Sequence, residues 1–373
     1  LSEVKGLELE KIDVIRYLRK NMLSLNEFLK LAIEKNASDL HLIPGFLPSL
    51  RIEGEIHFLA KYSPLEEKTL EEDLFSLLDD EQKQILLTNK ELDLSKEFEE
   101  TRFRINLYYT KNGLSASFRL IPKKIRTLEE LNLPPSLYKI CDLTQGFVLV
   151  TGPTSNGKST TLAALINEIN LKYPYHIITI EDPIEYVYPK SLSIISQREL
   201  YTHTYSWNKA LKSALREDPN VILVGEMRDY DTISLALTAA ETGHLVFSTL
   251  HTNSAPETID RIIDTFPSHQ QNQIRIQLSS VLKMIIVQKL IPKASEIGLI
   301  PALEILVNTT SVSNLIREGK THLLPSVLET EEKEGSILFE KYLVKLYRQG
   351  LISQETAFSY AIRPKELEKF ILR

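Results

Sequence analysis

Gly146-Phe-Val-Leu-Val-Thr-Gly-Pro-Thr-Ser-Asn-Gly-Lys-Ser-Thr160 reads as a short buried strand, a glycine-bounded loop and the opening of a helix near Thr160. Gly152 to Ser159 satisfy Gly-x4-Gly-Lys-Ser. The strand before and the Ala/Leu-rich helix after are the context that separates a phosphate-binding loop from a chance glycine turn. Backbone N–H groups around Gly157 would point into the loop, and the helix N-terminus adds the positive end of its dipole. On this reading Gly152, Pro153, Thr154, Ser155, Asn156, Gly157, Lys158, Ser159 and Thr160 bind nucleotide. Lys158 reaches the β- and γ-phosphates and Ser159 holds Mg2+. The expected ligand is ATP or GTP.

Composition bounds the rest. A chain of 373 residues is long enough for two or three domains. Charged residues at 25% and hydrophobic residues at 43% describe an ordinary globular protein. A net charge of −6 gives no overall attraction to nucleic acid or anionic lipid, so no nucleic-acid partner is expected. No apolar run approaches the roughly 18 residues of a membrane helix. The N-terminal stretch alternates charged and apolar positions without a signal-peptide core and begins without Met. Cys141 is the single cysteine, which excludes a disulfide framework and a tetra-cysteine zinc site within this chain. A cytosolic protein is expected.

Outward from the loop, the pattern divides into halves. From Met22 to Leu120 it is mixed. Leu25–Glu34 has helical apolar spacing, and His41-Leu-Ile and Leu50–His57 look like strands around a turn containing Pro44, Gly45 and Pro48. Glu66 to Leu87 is helical by period. Phe103–Tyr109 and Leu114–Leu120 form an expected hairpin across Lys111-Asn-Gly113. The domains expected are 22–121, a proline-containing basic linker at 122–135, an α/β core at 136–310 and a helical subdomain at 311–373. In the core, the apolar strands Phe147–Thr151, Ile177–Glu181, Val221–Gly225 and Leu245–Thr249 alternate with helices, which implies a parallel sheet.

Further clusters are expected at the C-terminal ends of those strands, where open α/β sheets bind ligands. Glu181, Asp182 and Glu185 follow one strand, near where Mg2+ or an attacking water would sit; the alternative is a plain acidic turn. Val221-Ile-Leu-Val-Gly-Glu226 is Walker-B-like, with Glu226 placed to activate or orient the water that attacks the γ-phosphate. Gly225 takes the place of the usual Mg2+-ordering Asp. His244 and His251 flank the next strand, as hydrogen-bonded core histidines or as γ-phosphate sensors.

Ala37-Ser-Asp-Leu-His-Leu42, the phosphate loop, Ile180-Glu-Asp-Pro-Ile-Glu185, Leu215-Arg-Glu-Asp-Pro-Asn220, Gly225-Glu-Met-Arg-Asp229, Gly243-His-Leu-Val-Phe247 and Thr249-Leu-His-Thr-Asn-Ser254 occur in the order and spacing of the secretion ATPase superfamily. The chain resembles its type IV pilus retraction branch, the PilT-like ATPases, from about Ser24 to Phe370. The resemblance implies an α/β fold: an N-terminal PAS-like α+β domain, a RecA-like P-loop ATPase domain and a C-terminal helical subdomain. It also implies assembly as a homohexamer. Glu181 and its neighbours become an Asp box, Glu226 the Walker B acid, and His244 and His251 a His box. It implies that Arg104 and Arg119, and less directly Arg102, act as arginine fingers on the γ-phosphate. Arg216 and Arg228 either join them or pair with nearby acids.

The activity implied is Mg2+-dependent ATP hydrolysis driving pilus retraction. The partners implied are the chain itself, an inner-membrane pilus platform protein and, indirectly, pilin. The location implied is cytoplasmic, peripheral at the inner face of the cell membrane. An assembly or type II secretion motor is the neighbouring alternative, although those chains usually carry a long N-terminal extension and a four-cysteine module. A nucleotide-gated regulatory subunit and a nucleic-acid motor are the alternatives of another class. Within the retraction branch Asn314-Leu-Ile-Arg-Glu-Gly-Lys-Thr-His322 is similar to a signature, with Ser313 where that signature has Arg. Ser155-Asn156 replace Gly-Ser in the phosphate loop, and Tyr201 and Ser248 replace glycines. The serine at 155 matters if that position needs a positive φ.

Overall fold

The computed structural model describes residues 24–372, apart from 53, 100, 122–123 and 296–297. Met22 and residues 122–123, at the edges of the expected domain and linker, lie outside the described residues. The chain divides into two compact units, with the division between residues 123 and 124.

In the first unit, helix α1 (Leu25–Glu34) starts at a capping box made by Ser24 and Glu27 and buries Leu25, Phe28, Leu29 and Ala32 on one face. Strands β1 (Asp39–Leu42), β2 (Ser49–Ile52) and β3 (Glu55–Phe58) follow. Leu50–His57 is therefore not one strand: it folds back around Gly54, whose φ of +89° makes the turn. The helical stretch from Glu66 likewise breaks in two, α2 (Glu67–Phe75) and α3 (Asp80–Asn89), because the Asp79 carboxylate accepts the Gln82 amide and caps a new helix. Strand β4 (Glu91–Phe98) has no counterpart in the sequence reading. Its charged exposed positions hide the period-two signal. Strands β5 (Thr101–Thr110) and β6 (Gly113–Ile121) make the expected hairpin. The antiparallel sheet runs β3-β2-β1-β6-β5-β4. On β5, Phe103, Ile105 and Leu107 enter the core, which sends Arg102 and Arg104 to the other face.

The second unit opens with α4 (Tyr138–Cys141) and β7 (Gly146–Thr151). Then come α5 (Lys158–Lys172), β8 (His176–Glu181), β9 (Ile194–Glu199), α6 (Trp207–Ala214), β10 (Val221–Val224), α7 (Tyr230–Glu241) and β11 (Leu245–Leu250). Helices α8 (Ala255–Asp264) and α9 (Ser268–Val281) lead to β12 (Leu282–Pro292) and β13 (Leu299–Val307). The sheet runs β13-β12-β7-β11-β10-β8-β9, parallel except for the antiparallel β12–β13 pair. Strands β7, β10 and β11 are buried at every residue, which is why they read as mostly apolar runs, with Thr151, Ser248 and Thr249 buried among them. Because these strands are parallel, the loops after β7, β8, β10 and β11 all emerge at one edge.

Helices α10 (Thr310–Arg317), α11 (Leu324–Thr330), α12 (Phe339–Arg348), α13 (Gln354–Tyr360) and α14 (Pro364–Leu372) complete the unit. Leu324, Phe339, Leu343 and Leu367 join the same core as the sheet, so the C-terminal helices are packed on it rather than separate. The stretch expected as linker also buries Leu128 and Leu133 there, and from 124 onward it is structure rather than tether. Arg363 ties the C-terminus down: its guanidinium lies 3.1 Å from Glu304 and 3.6 Å from Glu340, both carboxylates fully buried. No helix of the described residues is long and apolar enough to cross a membrane.

Candidate nucleotide-binding site

The loop between β7 and α5 is built by backbone conformations that its sequence only partly advertises. Gly152 has a φ of +139°, and a Cβ there would sit 2.2 Å from the Gln288 carbonyl oxygen on β12. Gly157 caps α5 in the left-handed region at +75°. Ser155 also lies there, at +62°, so the position does need a positive φ and the serine pays for it. Tyr201, another replacement for a family glycine, adopts +60°. Ser248 is different: it is buried in β11 and donates to the Val224 carbonyl at 2.7 Å.

Lys158 is 8% exposed, and its ammonium donates to the carbonyls of Gly152 and Pro153, both at 2.8 Å. Burial lowers its pKa, and the negative charges of Glu185 and Glu226 oppose that shift. The same ammonium is 3.5 Å from Nδ1 of His251, which is also 3.5 Å from the Thr154 hydroxyl. His251 Nε2 lies 3.7 Å from Glu226, and the other Glu226 oxygen pairs with Arg228 Nε at 2.6 Å. Burial and the Lys158 charge hold His251 below its ordinary 6.5, so the ring is neutral at pH 7. Lys158, His251 and Glu226 thus form one polar cluster beside the loop. The cluster fits a ligand carrying negative charge.

Glu181 stands behind this cluster, 8% exposed at the end of β8. Thr179 donates to it at 2.6 Å, Gln197 at 3.2 Å and the Glu185 amide at 3.4 Å. Those donors do not offset its burial, which pushes the carboxyl up to about 7. The loop after β8 is held by β9: Gln197 also donates to the Tyr186 carbonyl at 2.8 Å, and Glu199 accepts the Ile184 amide at 3.0 Å. Tyr186 in turn shares a 2.8 Å hydrogen bond with Thr160 on α5.

His244 is not part of this arrangement. It precedes β11 at the opposite edge of the sheet, its Nδ1 2.9 Å from the Ala239 carbonyl and 3.2 Å from the Thr242 hydroxyl. A strand rises about 3.3 Å per residue, so the whole of β11, on the order of 20 Å, separates it from His251 within the chain. His244, expected with His251 to flank this strand, therefore lies away from the loop, hydrogen-bonded at the C-terminal end of α7. Of the remaining arginines, Arg228 pairs with Glu226, whereas Arg216 is exposed.

Arg104 and Arg119 are direct cross-strand neighbours in the first unit. Like charges so placed repel, and each is matched by an acid: Asp93 lies 3.8 Å from Arg104, and the buried Asp39 lies 2.9 Å from Arg119. Arg102 donates to Ser95 at 2.5 Å.

The donor set also suits Mg2+. Among the described residues no group of His, Cys, Asp and Glu forms a metal site by itself. Ser159, in the first turn of α5, offers a hydroxyl oxygen beside the loop. A hard cation bound by one protein oxygen and phosphate oxygens is the usual magnesium arrangement.

Two groups escaped the sequence reading. Gln288 is a buried polar residue on β12, beside the partly exposed Lys289, and nothing local in the sequence marks it as the buried one. The Gln197–Glu199 brace on β9 carried no signal either, because its role depends on which strand lies beside β8.

The sequence matches the family model described as "Type II/IV secretion system protein" over residues 19–322. The chain is 43% identical over 344 residues to the "Type IV pilus retractation ATPase PilT" of Pseudomonas aeruginosa, covering 92% of this chain and 99% of that one. A "Twitching motility protein" of Neisseria gonorrhoeae is 48% identical over 314 residues, 83% of each chain. Among solved structures, the "Crystal Structure of the Pilus Retraction Motor PilT and Bound ADP" superposes with a TM-score of 0.88 at 45% identity, covering 93% of this chain and all of that one.

Proposed function

The chain belongs to the Type II/IV secretion system protein family, and from that premise we propose that it is an ATP hydrolase working as the retraction motor of a type IV pilus. The observation that carries this reading is the convergence of Lys158, His251 and Glu226 beside a glycine-bounded loop at one sheet edge, in a chain so close to retraction ATPases.

In the proposed reaction the loop amides and Lys158 bind the β- and γ-phosphates. Mg2+, held by Ser159 and the phosphates, would neutralise charge there. Glu226 orients the attacking water or takes its proton, and neutral His251 donates a hydrogen bond toward the γ-phosphate. Glu181, with a carboxyl near 7, can hold or release a proton beside that water. Arg104 and Arg119 act as arginine fingers across a homohexamer, the PAS-like unit of one copy closing on the RecA-like unit of another. Hydrolysis would then be coupled to closure and opening between the units. The proposed domain division is a PAS-like unit within 22–121 and a RecA-like ATPase core at 136–310, with residues 124–135 and the helices of 311–373 packed on that core. The ring would act on an inner-membrane platform protein at the cytoplasmic face of the membrane, and on pilin through it.

ATPase assay with deletion-strain microscopy tests the reading. Hyper-piliated cells that fail to retract support it. Bald cells point instead to an assembly motor, and DNA-stimulated turnover to a nucleic-acid motor.

A further inference from the structure

The phosphate loop has a second support besides its glycines. Gln288 is 2% exposed and lies on β12, one residue beyond the Val287–Thr151 register pair, so it sits directly beside the loop's start. Thr161 donates to Gln288 Oε1 at 2.7 Å, which fixes the amide so that Nε2 donates to the Asn156 carbonyl at 2.7 Å. The Asn156 side chain returns the contact: its Oδ1 accepts the Leu290 amide at 2.8 Å while its Nδ2 donates to the Thr154 carbonyl at 3.0 Å. These contacts straddle Ser155, the non-glycine residue at a φ of +62°.

We propose that Asn156 and Gln288 are positioning residues that hold the phosphate loop in its nucleotide-ready shape against the strain at Ser155. The inference rests on the loop binding nucleotide. With the brace in place, Ser155 is left-handed before and after binding, so the strain lowers folding stability and leaves affinity untouched. Without the brace, Ser155 relaxes toward negative φ, and nucleotide must restore the left-handed turn as it binds. Glycine visits that region freely, so the cost of losing the brace depends on the residue at 155.

A double-mutant cycle on the full chain reads this dependence through ADP affinity, with thermal melting of every variant alongside. Asn156→Ala is expected to weaken ADP binding about tenfold, and by no more than about threefold in a Ser155→Gly background, since the strain term is absent there. Ser155→Gly alone is expected to raise the melting temperature. Gln288→Glu keeps the acceptor for Thr161 and removes the donor to Asn156, and it is expected to show the same dependence on residue 155. It serves in place of Asn156→Ala should that variant not fold. Equal losses of affinity in both backgrounds overturn the inference, because a merely structural contribution would not respond to residue 155. Wild-type protein that binds no ADP sinks the nucleotide assignment and the brace with it, whereas wild-type binding with equal losses sinks the brace alone.

Discussion

Glu181 makes the chain less stable at neutral pH than its packing would allow. Its carboxyl titrates near 7 in the folded protein against an ordinary 4.5. Below pH 4.5 both states carry the proton and the group costs nothing. As pH rises, the unfolded chain ionises first, and folded stability falls until the folded carboxyl also ionises near 7; above that the deficit is constant. A gap of about 2.5 at about 1.4 kcal/mol per pH unit amounts to about 3–4 kcal/mol, of which about 3 falls between pH 4 and pH 8. Glu181→Gln keeps the shape and a carbonyl to accept from Thr179 and Gln197, and removes the titration. The amide then faces the Glu185 N–H, a loose 3.4 Å contact that costs little. Urea unfolding at pH 4 and pH 8 measures the difference. Trp207, the single tryptophan, reports on this unit, because its indole packs 3.3 Å from where a Cβ on Gly225 would lie. Wild type should lose about 3 kcal/mol more than the variant between those pH values. Parallel profiles would refute the reasoning, since they would mean that Thr179 and Gln197 solvate the carboxylate as well as water does.

Other outcomes follow from the same geometry. Lys158→Ala should abolish turnover, and Glu226→Gln should retain ATP but hydrolyse it about 10²–10⁴-fold more slowly, as single-turnover assays would register. Arg104→Ala should lower kcat by about 10³-fold or more if it is an arginine finger, with ADP affinity kept. Arg119→Ala should do the same and also lower the melting temperature, because Asp39, only 5% exposed, loses its 2.9 Å partner. In a Glu181→Gln background, which removes the carboxyl near 7, the acidic limb of the turnover profile should lie below 6.5 if neutral His251 is required, and a limb above that value would remove His251 from the mechanism. Arg363→Ala leaves Glu304 and Glu340 buried without their cation and should cost about 3–5 kcal/mol in urea unfolding. Burial already raises the Glu304 carboxyl, so acidification should shrink that penalty.

The sequence by itself determined the parallel core and its chemistry class. Strands β7, β8, β10 and β11 are predominantly apolar because a parallel sheet is buried on both faces, and Gly-x4-Gly-Lys-Ser is a local backbone requirement that a local pattern can encode. Glu226 and His251 were legible for the same reason: each follows a parallel strand directly, and parallel strands deliver their ends to one edge. His244 follows from the same rule: it precedes β11 while His251 follows it, so the length of the strand keeps it from the loop. Strands as charged as β4, and the break at Asp79, were invisible because exposed charge masks periodicity and a cap acts at one residue. Only the tertiary structure decided what lies beneath the phosphate loop. Gln288 and Asn156 are 132 residues apart in the chain, and they meet because β12 inserts beside β7, a long-range pairing that no local pattern carries. The strain at Ser155 belongs to the same class: the residue is written in the sequence, and its φ is imposed by the contacts around it.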